Sequence, residues 1–322
     1  MVKLPSRFVG WASWIAMVVI VLELLARYWL ELGDPILYVT HPTIEYLLKA
    51  DQVARPYGNL VEVNHFGMRS PDFAPNKAAG EYRVLVFGVS VVNGGNRTDQ
   101  ADLATALLGS RLEAERPGSV TVGNVAAGSW GPGNWLAYVQ EFGFFHADAV
   151  LLVVSGHDLR DNPTFADLNS ATHPEHRPVS AVWDGVWRVI VHSWLSLVAE
   201  SGDSKERASR VSLAMGQGAQ ELSEFLQLAA SQVPQVVVVL HPERRELERS
   251  QKSPELARIQ RLLNQLGIPF LWGSTCLGGA EAAGLSPYRD DIHLTAAGQA
   301  ALAECLLDAL SLPANPGRRV AH

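Results

Sequence analysis

A serine behind a short apolar run, and an aspartate three residues ahead of a histidine near the far end of the chain, are residue types from which a nucleophile and its base can be built. The serine is Ser90, in Gly88-Val89-Ser90, directly after Arg83–Phe87 (RVLVF). A serine at a strand-to-helix turn presents its hydroxyl at the edge of a sheet, and the N-terminus of the following helix stabilises negative charge beside it. The pair is Asp290 and His293, in Asp290-Asp291-Ile292-His293-Leu294-Thr295. A carboxylate at that spacing can orient the imidazole, and His293 can then act as general base on a serine brought close by the fold. Taken singly, each has a plainer account, Ser90 and Asp290 as helix caps and His293 as a surface residue. Position 92 is Val, so the Gly-x-Ser-x-Gly elbow is absent.

Other candidates are weaker. His173-Pro174-Glu175-His176 looks like a ligand set but lacks a third partner, and is expected to be solvated loop. His241, after the apolar run Gln235–Leu240, can line a cleft or sit in a turn. Asp158, Asp161 and Asn162 can cap or line the site, with Asp158 read as structural support. Gly94-Gly95 lacks the Lys-Ser/Thr ending of a phosphate loop. Cys276 and Cys305 form no Cys-x-x-Cys pair, which speaks against a cysteine zinc site. They are either one disulfide, as an oxidising compartment allows, or two buried apolar thiols.

These residues must be positioned by an alternation of strand and helix that starts at residue 82. Strands are expected at 83–87, 119–125, 149–155, 235–240 and 269–272, and helices at 102–115, 133–145, 216–232, 253–266 and 295–310. Alternation of this kind makes a parallel sheet with helices on both faces, whose sites form at the carboxyl ends of strands. Residues from about 163 to 210 look inserted. Within them, 180–199 carry an apolar stripe at helical spacing, suited to packing, to a lid or to membrane contact. Residues 31–80 form a weakly patterned lead-in that contains NHFGMRSPDF at 64–73.

Residues 8–26 carry one charge, Glu23, and nearly span a hydrocarbon core of about 30 Å. Glu23 is expected to reach toward headgroups. Trp11, Trp14, Tyr28 and Trp29 lie toward the ends of the stretch, and Lys3 and Arg7 precede it, which favours an N-terminus inside and a domain outside. A cleaved signal peptide is the competing account, although no small-x-small site follows. The net charge of -7 is the reverse of a nucleic-acid-binding footprint.

Together the pieces resemble the SGNH/GDSL hydrolases, in order and spacing over residues 82–310. Gly88-Val89-Ser90 resembles the first block of that family, Gly128 in AAGSWGPGNW the second, Ser155-Gly156-His157-Asp158 the third, and Asp290 to His293 the fourth. NHFGMRSPDF is similar to the lead-in of anchored bacterial members tied to envelope or exopolysaccharide biology. The resemblance implies a three-layer, flavodoxin-like α/β fold with a parallel sheet of about five strands. It implies a hydrolase domain over 81–312, behind an anchor at 1–30 and the lead-in at 31–80, with a tail at 313–322. It also implies Ser90 as nucleophile, His293 as base, Asp290 as its orienting partner, and an oxyanion site from the N–H groups of Ser90 and Gly128 with His157. No metal or organic cofactor is required. Two departures stand out: Val89 replaces the family's Asp, and His157 replaces its oxyanion-donating Asn.

The expected activity is removal of O-acyl, foremost O-acetyl, groups from envelope or secreted polysaccharide by a single-pass inner-membrane protein whose domain is periplasmic or extracellular. Partners would be an acylated carbohydrate and the polysaccharide-synthesis machinery. Acyl transfer to a polysaccharide, or a non-catalytic glycan-binding or assembly role on the same scaffold, are the alternatives.

Overall fold

The computed structural model describes residues 6–187 and 204–313. Lys3, residues 188–199 of the apolar stripe and 314–322 of the tail lie outside the described residues. Helix α1 (Ser6–Tyr28) contains an 18-residue stretch, Trp11–Tyr28, long and apolar enough to cross a membrane. The lead-in then forms two small antiparallel pairs, β1 (Tyr38–His41) with β2 (Glu45–Leu48), and β3 (Gln52–Ala54) with β4 (Val61–Val63).

The core is a five-stranded, wholly parallel sheet of β5 (Tyr82–Gly88), β6 (Val120–Ala126), β7 (Ala149–Val154), β8 (Gln235–Leu240) and β9 (Phe270–Trp272). Its order is β6-β5-β7-β8-β9. The register sets Val84 between Val122 and Ala149. Residues 84–87, 149–154 and 236–240 are all buried, which is why these strands read as continuous apolar runs rather than alternating ones. The described helices that follow are α2 (Ser90–Asn93), α3 (Ala104–Glu115), α4 (Pro132–Phe142), α5 (Ala181–Val186), α6 (Ser204–Gln232), α7 (Arg244–Arg249), α8 (Pro254–Leu266), α9 (Ser274–Ala282) and α10 (Ala296–Leu310). Helices α3, α9 and α10 pack together in one layer, and α4, α6 and α8 in another, giving three layers. The chain leaves β5 for β6 on one side and then crosses to β7 on the other. That reversal opens a crevice beyond the carboxyl end of β5, where ligands bind in open α/β sheets.

Element ends follow local chemistry. Ser253 accepts from the Leu256 N–H, Pro254 opens α8 and Gly267 closes it in a left-handed conformation. The expected helix over 133–145 ends earlier, at Phe142, because Gly143 takes φ +71. The helix expected over 216–232 begins earlier, at Ser204. Helices α7 and α9 lie where no helix was expected.

The lead-in motif is a set of backbone devices. Asn64 Oδ1 accepts the N–H groups of Phe66 and Met68, making a side-chain-closed turn. Gly67 supplies φ +71, and Met68 is fully buried in the core. Phe73 lies 4.7 Å under the buried guanidinium of Arg83, which also pairs with Glu81 at 2.8 Å. Phe73 thereby fastens the lead-in to the start of β5.

Cys276 and Cys305 are bonded, with Cα atoms 5.7 Å apart, and the bridge ties α9 to α10. Closing a loop across a separation of 29 residues constrains the unfolded chain by roughly 3–4 kcal/mol. Reduction, or Cys276→Ser, is expected to lower the thermal midpoint by several degrees in melts run with and without reductant. Unchanged melts would mean that the bridge adds no stability.

Candidate active site

Helix α2 is only four residues long, too short to hold itself. Its surroundings hold it. The Trp135 indole N–H donates to Gly88 O at 2.9 Å, Gln299 Nε2 to Val91 O at 2.8 Å, and Asn124 Nδ2 to Val92 O at 2.8 Å. Arg69 Nη1 donates to Asn93 O at 2.7 Å, and Asn93 Nδ2 to Ala126 O at 2.8 Å. Val89 is buried in the core, so apolar packing and these side chains support the turn where the family places an Asp. Ser90 is the first residue of α2, where backbone N–H groups lack an intrahelical acceptor.

His293 arrives on the loop between α9 and α10. Tyr288 and Leu294 bridge the loop, Arg289 N donates to His293 O at 2.8 Å, and Thr295 caps α10. Gly298 is required here, because a Cβ would overlap the Pro287 carbonyl. The three residues named from sequence come together. His293 Nε2 lies 2.9 Å from Ser90 Oγ, and His293 Nδ1 lies 2.8 Å from Asp290 Oδ2. Asp290 Oδ1 also accepts the His293 N–H at 2.7 Å and the Ile292 N–H at 3.0 Å. Burial works to raise the Asp290 carboxyl. The two N–H groups and the His293 ring outweigh it and hold the group below the usual carboxylate range. With Nδ1–H donated to Asp290, Nε2 is the acceptor tautomer that can take the Ser90 proton. The Asp290 side chain is 50% exposed and that of His293 36%, an open arrangement.

His241 is neither a turn residue nor solvent-facing. It is fully buried behind β8, with Nε2 3.3 Å from Ile292 O, and it props the loop one residue before His293. Burial drives its pKa down to about 4, so the ring is neutral.

Gly128 lies two residues beyond the end of β6. Nothing lies within 4 Å of where a Cβ would sit, and its φ is not positive. Neither packing nor backbone strain in the chain calls for glycine there. Two side chains secure its carbonyl. The Tyr46 hydroxyl donates to Gly128 O, and His173 hydrogen-bonds the Gly128 backbone. His173 was expected to be solvated. Instead it is half-buried, its ring 4.6 Å from that of Tyr38 and 4.7 Å from that of Tyr46, because the insertion folds back over the lead-in. Burial lowers its pKa against the pull of that hydrogen bond. His176 is exposed, as expected. The hold of Tyr46 and His173 on Gly128 carries no signal in sequence, because β2 is four residues long and 119 or more residues separate such lead-in positions from the insertion.

His157 sits on the short 3-10 turn after β7. Its Nδ1 lies 3.1 Å from Ser155 Oγ and 3.5 Å from Glu243 Oε1. Its Nε2 lies 3.1 Å from Asp158 Oδ1 and 3.9 Å from Asp161 Oδ2. Burial opposes charge on the ring, but Glu243, Asp158 and Asp161 lift its pKa to about 9, making it an imidazolium at neutral pH. Burial, then the Asp158 charge, raises Asp161 to about 6. Asp158 is fully buried and accepts the Ser155 N–H at 2.8 Å, a structural support of the turn. Asn162 ties to Ala214 O at 2.9 Å. Among the described residues, His157, Asp158 and Asp161 offer atoms close enough to hold a metal ion. With both ring nitrogens protonated, His157 itself serves as the cation of this cluster. Gly94 and Gly95 take φ +78 and +61 and close α2, a turn role.

A Gly128→Ala variant is expected to fold with an unchanged or slightly raised thermal midpoint, and to lose at least about 10²-fold in ester turnover, because the methyl displaces the reacting atoms. Full activity in a folded variant would remove Gly128 from the site.

No protein-family model matches the sequence, and no curated protein does. Three solved structures show a partial similarity to the chain. A lipolytic protein of the G-D-S-L family from Veillonella parvula is similar over 72% of this chain and 100% of its own, at 11% identity and TM-score 0.44. An acetylxylan esterase from Geobacillus stearothermophilus is similar over 74% and 97%, at 12% identity and TM-score 0.42. A two-domain esterase active on acetylated mannans is similar over 72% of this chain and 49% of its own, at 12% identity and TM-score 0.45. The chemistry rests on the side chains described above.

Proposed function

We propose that this chain is a serine esterase that removes O-acyl groups, foremost O-acetyl, from envelope or secreted carbohydrate. The observation that carries the reading is the continuous relay from Ser90 Oγ through His293 to Asp290, at 2.9 and 2.8 Å. The order of the four sequence blocks supports the ester class, and a domain held outside, as Lys3 and Arg7 ahead of the apolar stretch would favour, would meet envelope glycans as carriers of the ester.

In this mechanism Ser90 Oγ attacks the ester carbonyl carbon while His293 Nε2 takes its proton. The N–H groups of Ser90 and Gly128 face the developing oxyanion, an interaction worth about 3–4 kcal/mol per donor in comparable enzymes. His293 then returns the proton to the departing sugar oxygen, leaving acyl-Ser90. Water, deprotonated by His293, attacks that ester and releases the carboxylic acid and free Ser90. Asp290 stabilises the imidazolium in both half-reactions. His157 has both ring nitrogens committed to neighbours. We assign it the order and positive charge of the loop after β7 rather than a direct bond to the oxyanion.

The test is release of acetate from acetylated polysaccharide and from 4-nitrophenyl acetate, together with labelling by a fluorophosphonate. Turnover with stoichiometric labelling at Ser90 is the expected result. A folded protein that neither labels nor cleaves any short acyl ester would overturn the esterase reading. Acetyl release seen only when an acceptor glycan is added would redirect it to acyl transfer.

A further inference from the structure

Helix α1 is not a loose leader. Its Glu23 carboxylate accepts Ser180 Oγ at 2.9 Å, Ala181 N at 2.8 Å and Val182 N at 3.3 Å, closing the start of α5. Glu23, expected to reach toward headgroups, is thus spent on the insertion. Arg27 pairs with Glu23 at 2.6 Å and donates to Val179 O at 2.8 Å. The connection to the domain is also tight. A Cβ on Gly33 would lie 2.8 Å from that of Ala181, and one on Gly185 would lie 2.9 Å from Leu32. Tyr57 N donates to Glu31 O and Arg55 N to Asp34 Oδ2, so the chain gains no slack after the helix.

These contacts fix the depth of α5. Glu23 lies five residues before Tyr28, the end of the apolar stretch. At about 1.5 Å per residue, that is roughly 7–8 Å inside the boundary of a bilayer spanned by this stretch. A segment held against Glu23 at hydrogen-bond distance lies at the same depth, where interfacial helices bury their apolar faces about 5–10 Å into the headgroup boundary. The residues there suit it. Val179 is 98% exposed and Trp183 65%, and Val186 and Trp187 are also exposed, with the two indoles stacked 6.4 Å apart. Trp29 and Leu30, just past the end of α1, are exposed as well. Exposed aromatic and aliphatic groups at one level beside a membrane-length helix match the lipid interface, where indoles prefer to lie.

We propose that residues 179–187 are a membrane-interface element, latched by Glu23 to a helix α1 that stays in the mature protein, and that they seat the domain directly on the bilayer. The occupant of the apolar surface is lipid. The inference rests on α1 as a membrane span and is independent of the esterase reading.

The test uses the full chain in nanodiscs of phosphatidylcholine and phosphatidylglycerol, the native cysteines remaining bonded. A nitroxide is placed at Trp183→Cys, and another at Glu113→Cys, an exposed position on α3. Collision with oxygen is compared with collision with a water-soluble nickel chelate. At position 183 oxygen is expected to dominate by several-fold, and at 113 the chelate, with circular dichroism and melting unchanged in both. Chelate access at 183 equal to that at 113 would overturn the proposal. So would shielding of 183 from both reagents, which would indicate a second copy of the chain on this surface. Intact mass of the purified protein is expected to include residues 8–26; a mature form beginning after them would overturn it as well.

Discussion

Ser90→Ala is expected to lower the turnover of an acyl ester by about 10⁶-fold, His293→Ala by about as much, and the double variant by no more than either alone. The reason is geometric. The hydroxyl and the imidazole share one proton across 2.9 Å, so removing either group removes the same step. Binding and the oxyanion N–H groups remain, which leaves roughly 10³-fold catalysis over water. Asp290→Asn is expected to cost less, about 10³–10⁴-fold. Its carboxylate is half-exposed, so solvent already screens part of what it does for the imidazolium. Steady-state kinetics with 4-nitrophenyl acetate on these four variants give the ranking. Additive losses for Ser90 and His293 would break the shared-proton account, and an Asp290 variant as impaired as Ser90→Ala would show that its exposure is of no consequence.

Arg69→Leu is expected to destabilise the fold by roughly 3–5 kcal/mol, on the order of 10 °C in thermal midpoint. Arg69 is fully buried, and all five guanidinium N–H bonds are used. Nη1 donates to Asn93 O and Gly95 O, at 2.7 and 2.8 Å. Nη2 donates to Thr98 O at 2.6 Å and Leu60 O at 3.3 Å, and Nε to Gln100 Oε1 at 3.2 Å. Burial lowers its pKa to about 10, partly offset by the Asp99 charge, so it remains a cation at neutral pH. Deleting the fork strands several backbone carbonyls, and Lys cannot replace it, since three donors around a point charge do not match five in a plane. Because Asn93 and Gly95 close the turn that carries Ser90, turnover well below the melting temperature is expected to fall about 10²-fold. Calorimetry and kinetics on Arg69→Leu and Arg69→Lys check both parts. A Lys variant with parental stability and rate would show that charge, not the fork, is what matters.

What sequence could convey here was set by how local each feature is. The three central strands, β5, β7 and β8, were legible because burial on both faces leaves apolar runs such as Gln235–Leu240. The triad was legible because Ser90 and the Asp290–His293 pair each sit at an element boundary with their own short pattern. The lead-in strands, three or four residues each, fall below any periodicity signal. Helix α9 was missed because Ser274–Ala282 contains paired glycines and little amphipathic contrast. The grip of Tyr46 and His173 on Gly128 joins three distant segments, and the Cys276–Cys305 bond needs a Cα separation that spacing alone does not supply. NHFGMRSPDF was visible as a motif, yet its content, one turn and one five-pronged guanidinium, is tertiary.

The reach of α10 back to the nucleophile turn also sets a schedule. His293 meets Ser90 across 203 residues, and Gln299 meets Val91 across 208. At about 5–20 residues per second, a ribosome needs roughly 10–40 s to make that stretch. For that interval the nascent chain displays a serine with no base beside it. On the esterase reading, chemistry begins only after the last helix has been synthesised and docked, and a message truncated anywhere before His293 is expected to yield no active product.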